Sequence, residues 1–183
     1  PEKNYFNLET VRPMQSGPVL LSSILEVQRL QISPRFSGRE LVYKTGESLF
    51  ESDFYNVFFI PPVGMLTQDL REWLERSRLF SNVVDPASLV RADLTLEGVV
   101  NALYGDFFRE PAAAVAEMQF FLVETSSPDR KILFSRSYAR QIQLEETSAR
   151  ALIKGLNQAV KEIFVELEAD LREKLEEILL CHR

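Results

Sequence analysis

Three long stretches in the second half of the chain limit what it can become. From Ala92 the residues alternate: Leu94, Leu96, Val100 and Ala102 share one face, and Asp93, Thr95, Glu97 and Asn101 the other. Period-two alternation sends successive side chains to opposite sides of a strand. Residues 114–125 (AVAEMQFFLVET) and 131–144 (KILFSRSYARQIQL) read as two more strands. The SSPDR joint between them has the Ser, Pro and Asp of a hairpin turn. Three consecutive strands with short links imply an antiparallel meander.

Two segments carry the other period. Leu66, Leu70, Trp73, Leu74 and Ser77 recur at helical spacing, with Asp69, Arg71, Glu72, Glu75 and Arg76 mostly on the other faces; this helix is expected to end near Arg78. LFSNVV, at 79–84, follows as a short strand. The longest pattern is C-terminal. Ala149, Leu152, Leu156, Ala159, Ile163, Leu167, Leu171, Leu175 and Ile178 form a nearly continuous stripe, with Thr147 placed as the N-cap. From Glu166 onward the chain is mostly Glu, Lys, Arg, Asp and Leu. Glu168–Arg172 and Asp170–Lys174 have ion-pair spacing, and this end is expected to project as a lone amphipathic helix.

The first third reads as strands. ILEVQRLQI (24–32) stops at Ser33-Pro34, RELVYKT (39–45) is closed by Gly46, and SLFESDFYNVFF supplies a third strand and a fourth. Five aromatics, Phe50, Phe54, Tyr55, Phe58 and Phe59, fall within ten residues before Pro61-Pro62 ends the run. Aromatics favour strands and cores. Yet Phe58 and Phe59 are adjacent, so a strand sends them to opposite faces: one enters a core, the other meets a helix, a second sheet or a partner. Together these elements make an α/β chain in the α+β arrangement. Its sheet is mixed and largely antiparallel, with one helix after the Pro-Pro corner and a long C-terminal helix. One domain spans 1–168, and 169–183 extend its last helix.

Composition narrows function by exclusion. A net charge of −6 with no basic run argues against nucleic acid and against an anionic-lipid patch. No apolar stretch approaches the roughly 20 residues that span a bilayer. The only cysteine, Cys181, has no intrachain partner, and the only histidine, His182, sits beside it at a terminus where two ligands do not make a metal site. No phosphate loop, dinucleotide fingerprint, zinc-protease or nucleophile-elbow motif occurs. The carboxylates near the aromatics (Glu51, Asp53) and on the meander (Asp93, Glu97) alternate as solvated strand faces do. No catalytic group, cofactor or metal ligand is indicated.

The ordered features resemble the ABC-type transport auxiliary lipoproteins, the PqiC/YmbA-like family of Gram-negative envelopes. The resemblance rests on Tyr5-Phe6-Asn7-Leu8, on Leu41-Val42-Tyr43-Lys44, and on Phe58-Phe59-Ile60-Pro61-Pro62 leading into the Leu66–Leu74 helix. It continues through Leu79-Phe80 with Val83-Val84, ADLTLEGVV and the closing helix Ala151–Leu167, covering about residues 5–168. It implies a non-enzymatic periplasmic lipoprotein, anchored in a membrane through an acylated cysteine, with the outer membrane the expected site. No cysteine stands near Pro1, so the anchor is expected upstream. It also implies partners: an MCE-domain protein and ABC transporter subunits of the Mla and Pqi type that move lipids between the membranes. Docking residues are expected at Tyr55, Phe58, Phe59, Pro61 and Pro62. Two other readings stand beside this one. A soluble carrier would hold an acyl chain between sheet and helix, and a structural protein would form a homo-oligomer through the Leu167, Leu171, Leu175, Ile178 stripe.

Overall fold

The computed structural model describes residues 2–181, and all of the expected element types are present. The strands are β1 (Asn4–Phe6), β2 (Leu21–Val27), β3 (Gln31–Ile32), β4 (Glu40–Lys44), β5 (Phe50–Phe58), β6 (Phe80–Val84), β7 (Leu94–Asp106), β8 (Ala113–Glu124) and β9 (Ile132–Gln143). The helices are α1 (Pro62–Ser77) and α2 (Ala149–Cys181). Strands β7, β8 and β9 form the antiparallel meander, paired over almost their whole lengths. It is the backbone of a mixed, unclosed sheet.

The other edge of β7 is shared. Three strands pair with it in parallel one after another: β2 against Leu94–Leu96, β3 at Val99 and Val100, and β4 at Gly105 and Asp106. From there the sheet divides into two arms. One adds β6 beside β2; the other adds β5 beside β4, and then β1 beside β5. The single strand expected over 24–32 is therefore two. After Val27 the chain leaves the ladder, and Leu30 N donates to the Thr67 hydroxyl of α1 at 3.0 Å before β3 rejoins β7 further along.

Helix α1 begins at Pro62, four residues before the first leucine of its stripe. Proline suits the first helical position, because the amide it lacks would be unpaired there anyway. All five stripe residues are buried, and Arg78 closes the helix with φ 60°. Helix α2 is capped by Ser148, not Thr147: the Ser148 hydroxyl accepts from Ala151 N at 3.1 Å, as an N-cap side chain does. The run Ala112–Ala116, leading into β8, is wholly buried and mostly alanine, which lets α2 come close. A Cβ at Gly155 would stand 2.8 Å from Ala114 Cβ and 2.6 Å from Leu144 Cδ2, so this approach needs glycine.

The tail does not project. Leu167, Leu171 and Leu175 are fully buried and Ile178 packs against the same core, so the stripe is spent inside the molecule. Its polar residues hold it down. Glu168 accepts from Arg12 Nε and from Trp73 Nε1, at 2.7 and 2.8 Å, and Asp170 accepts from the Tyr138 hydroxyl at 2.6 Å. Arg140 pairs with Glu166. Glu168–Arg172 forms at 3.8 Å, whereas Asp170 turns to Arg136 of β9 at 2.8 Å, leaving Lys174 to pair with Glu177. Phe120, Met118, Leu156 and Phe164 are buried in the core between sheet and α2, where the alternative carrier reading would place an acyl chain.

Candidate functional site

The aromatic run forms one strand, β5, and a bulge breaks it. Glu40 pairs with Val57 and the next residue, Leu41, with Asp53, so 54–56 are pushed out of the β4–β5 ladder. A carboxylate organises the bulge. Asp53 accepts from Tyr55 N (2.9 Å), Asn56 N (3.0 Å), Asn56 Nδ2 (2.8 Å) and the Tyr43 hydroxyl (2.6 Å). Partial burial alone would raise its pKa, but these four donors outweigh it and hold the carboxyl below its ordinary value. Burial, with the Asp53 bond and charge added, pushes the Tyr43 phenol well up, so it remains a donor. Asp53 is a structural anchor of the bulge.

The bulge and the end of β5 bring aromatics to the surface. Phe54 is 64% exposed, Phe59 61% and Tyr55 44%, and Phe54 and Tyr55 meet edge to face at 5.2 Å. Strand β1 lies parallel to β5, with Asn4, Tyr5 and Phe6 opposite Asn56, Val57 and Phe58. That pairing adds Tyr5, 55% exposed, whose ring meets Phe59 edge to face at 6.5 Å. Two cations sit on these rings: Lys3 Nζ is 4.1 Å from the Phe54 centroid, and the Arg39 guanidinium is 5.5 Å from that of Tyr5. Arg39 Nε also donates to Phe58 O at 3.0 Å.

Of the five residues expected to dock a partner, Tyr55, Phe59 and Pro61 are on the surface. Phe58 and Pro62 are buried, Phe58 to 3% exposure. Phe58 is the core-facing member of the adjacent pair, and Pro62 is turned inward as the opening residue of α1, so neither presents a side chain to a partner. Lys3, Tyr5 and Arg39 join the site through the β1–β5 pairing and the β4–β5 register. Neither leaves a mark in local periodicity, because a parallel pairing between segments fifty residues apart has no turn signature.

A groove of about 700 Å³ lies between residues 12–15 and α2, where Met14, Trp73 and Val165 line it beside Arg12, Lys161 and Glu173. Residues 8–15 run alongside α1 and α2, held by side-chain acceptors. Thr10 N donates to Asp69 at 2.9 Å, and Glu9 N to Asn157 at 2.9 Å. Burial, with the charges of Glu72 and Glu9 adding to it against the Thr10 bond, pushes Asp69 up to about 6. Among the described residues no group of three His, Cys, Asp or Glu is placed to hold a metal ion, and no helix is long and apolar enough to cross a membrane. His182 lies outside the described residues; Cys181 is exposed.

Solved structures supply the comparison that sequence does not. No family model matches the chain, and no curated protein matches it. The crystal structure of XCC0632 from Xanthomonas campestris, assigned to the family DUF330, superposes with a TM-score of 0.83 over 97% of this chain and 99% of that one, at 15% identity. The two share a fold. An uncharacterised protein follows at TM-score 0.74 and 16% identity, over 93% of this chain and 99% of that one. CT253 from Chlamydia trachomatis reaches 0.56 at 6% identity, over 85% and 98%. The likeness runs the length of the fold, so the divided sheet and the docked C-terminal helix belong to an architecture found in other proteins.

Proposed function

We propose that the chain is a non-enzymatic envelope lipoprotein, the auxiliary component of an ABC-type, MCE-domain lipid transport system, working by docking to the MCE-domain partner. The observation that carries the reading is the aromatic ridge. Tyr5, Phe54, Tyr55 and Phe59 stand exposed on a corner fixed by a four-donor carboxylate, and they contribute little to the core. Rigid exposed aromatics are the side chains that most often anchor protein interfaces, because they bury a large area at small entropic cost. The resemblance of the sequence to the auxiliary lipoproteins supplies the partner class, and the shared fold with a DUF330 protein is compatible with it. Anchoring follows the same reading: an acylated cysteine upstream of Pro1 holds the domain at the periplasmic face of the outer membrane.

The test is affinity purification of the full-length, lipidated protein from envelopes, comparing the native chain with Tyr55→Ala and Phe59→Ala. Recovery of an MCE-domain protein that falls with either substitution, at unchanged thermal stability, supports docking at this corner. Equal recovery from native and substituted proteins moves the site elsewhere. Recovery of phospholipid without any MCE-domain or transporter subunit would favour a carrier.

A further inference from the structure

The ridge ends on an open sheet edge. Strand β1 pairs with β5 on one side, and among the described residues no strand lies on its other side. An unpaired strand edge offers backbone donors and acceptors to an incoming chain. Arg39 stands close by: its Nε is committed to Phe58 O, its guanidinium is held over the Tyr5 ring, and among the described residues its two terminal nitrogens have no acceptor. That leaves a preorganised fork suited to a carboxylate. Lys3, the residue just before β1, adds a second cation beside Phe54.

From this juxtaposition we infer that the occupant of the corner is an extended, acid-bearing segment of the partner, which adds to the free edge of β1 as a further strand. It places apolar side chains on the Tyr5–Phe59 and Phe54 rings and a carboxylate on Arg39. The inference rests on the docking reading and names the chemistry of the segment that docks. A protein segment fits better than a bilayer for two reasons. Backbone groups on a strand edge would go unsatisfied among acyl chains, whereas an added strand pairs them. Two cations also fall short of the four to eight that mark an anionic-lipid surface.

The experiment places a benzophenone side chain at position 5 of the full-length lipidated protein, co-expressed with the MCE-domain partner, and sequences the peptide captured on irradiation. The expected adduct is a partner peptide with Asp or Glu among apolar residues. Its yield should fall about tenfold or more with Arg39→Glu, and less with Arg39→Lys, which keeps the charge and loses the fork. A captured partner peptide without acidic residues, a yield indifferent to Arg39→Glu, or no adduct at position 5 while the partner still copurifies overturns the inference and leaves docking intact. Adducts to phospholipid, with Arg39-dependent sedimentation on vesicles of phosphatidylcholine and phosphatidylglycerol, replace the segment by a bilayer. If no MCE-domain protein copurifies yet position 5 captures an acidic segment of another protein, the docking reading fails and the strand addition stands.

Discussion

The aromatic corner and the C-terminal half of α2 invert each other. Residues 50–59 look like core, yet Phe54, Tyr55 and Phe59 face solvent. Residues 166–178 look like a solvated charged helix, yet Leu167, Leu171 and Leu175 are fully buried, and Glu166, Glu168 and Asp170 are engaged by Arg140, Arg12, Trp73, Tyr138 and Arg136. The tail spends its polar side chains on the fold. The corner keeps its apolar ones out of the fold, at a hydration cost, and that contrast is the ground on which the corner is proposed as a binding surface. Substitutions on the two sides should therefore give opposite results.

The largest effect is expected in the tail. Leu171→Ala removes a fully buried side chain and should cost about 2–5 kcal/mol in chemical denaturation. A loss below about 0.5 kcal/mol would return the tail to the projecting helix that its composition suggests. Next comes Glu168→Ala, which leaves the Trp73 indole without its acceptor and takes the carboxylate from the Arg12 guanidinium. That should cost about 1–3 kcal/mol and make residues 8–15 more accessible to hydrogen exchange.

These two regions also show what could be read in advance. The meander and both helical stripes were legible, because periodicity and turn chemistry are local; β1 and the split between β2 and β3 were not. The docking of the tail was not. Glu168 is read as an i,i+4 partner of Arg172, and nothing nearby announces Arg12 or Trp73, which come from distant parts of the chain. In the corner, the adjacency of Phe58 and Phe59 required the two to face opposite ways, but periodicity could not say which would be buried or what the other would meet. The bulge set by Asp53 and the parallel pairing of β1 decided it, and both are tertiary events. Asp53 itself is read as one of a solvated strand face; its four donors become visible only once the bulge is formed.

A smaller, pH-dependent difference belongs to the N-terminal segment beside the helices. The Asp69 carboxyl titrates at about 6 in the folded protein, against an ordinary 3.8. The folded state therefore binds the extra proton between those values, so Asp69 adds stability as pH falls from about 6 towards 3.8 and costs stability above that window. Asp69→Asn keeps an acceptor for Thr10 N and removes the charge. It should be more stable than the native protein at pH 7, with the gain shrinking to nothing near pH 4 in parallel denaturation curves. A constant difference across that range would remove Asp69 as its source.

The smallest effect on folding is expected at the corner. Phe54→Ser and Phe59→Ser change side chains that are more than half exposed, and each should alter stability by no more than about 0.5 kcal/mol. A loss of 2 kcal/mol or more, the size expected of a core aromatic, would collapse the contrast between the two regions.

The most direct test combines both readouts on one protein. The full-length chain, in the lipidated form proposed for it and carrying Phe54→Ser and Phe59→Ser together, is compared with the native chain for thermal unfolding and for recovery of the proposed MCE-domain partner from envelopes. The expected result is an unchanged unfolding midpoint with the partner lost from the eluate. Undiminished recovery of the partner at that same midpoint would contradict the claim that the exposed aromatics exist to bind it.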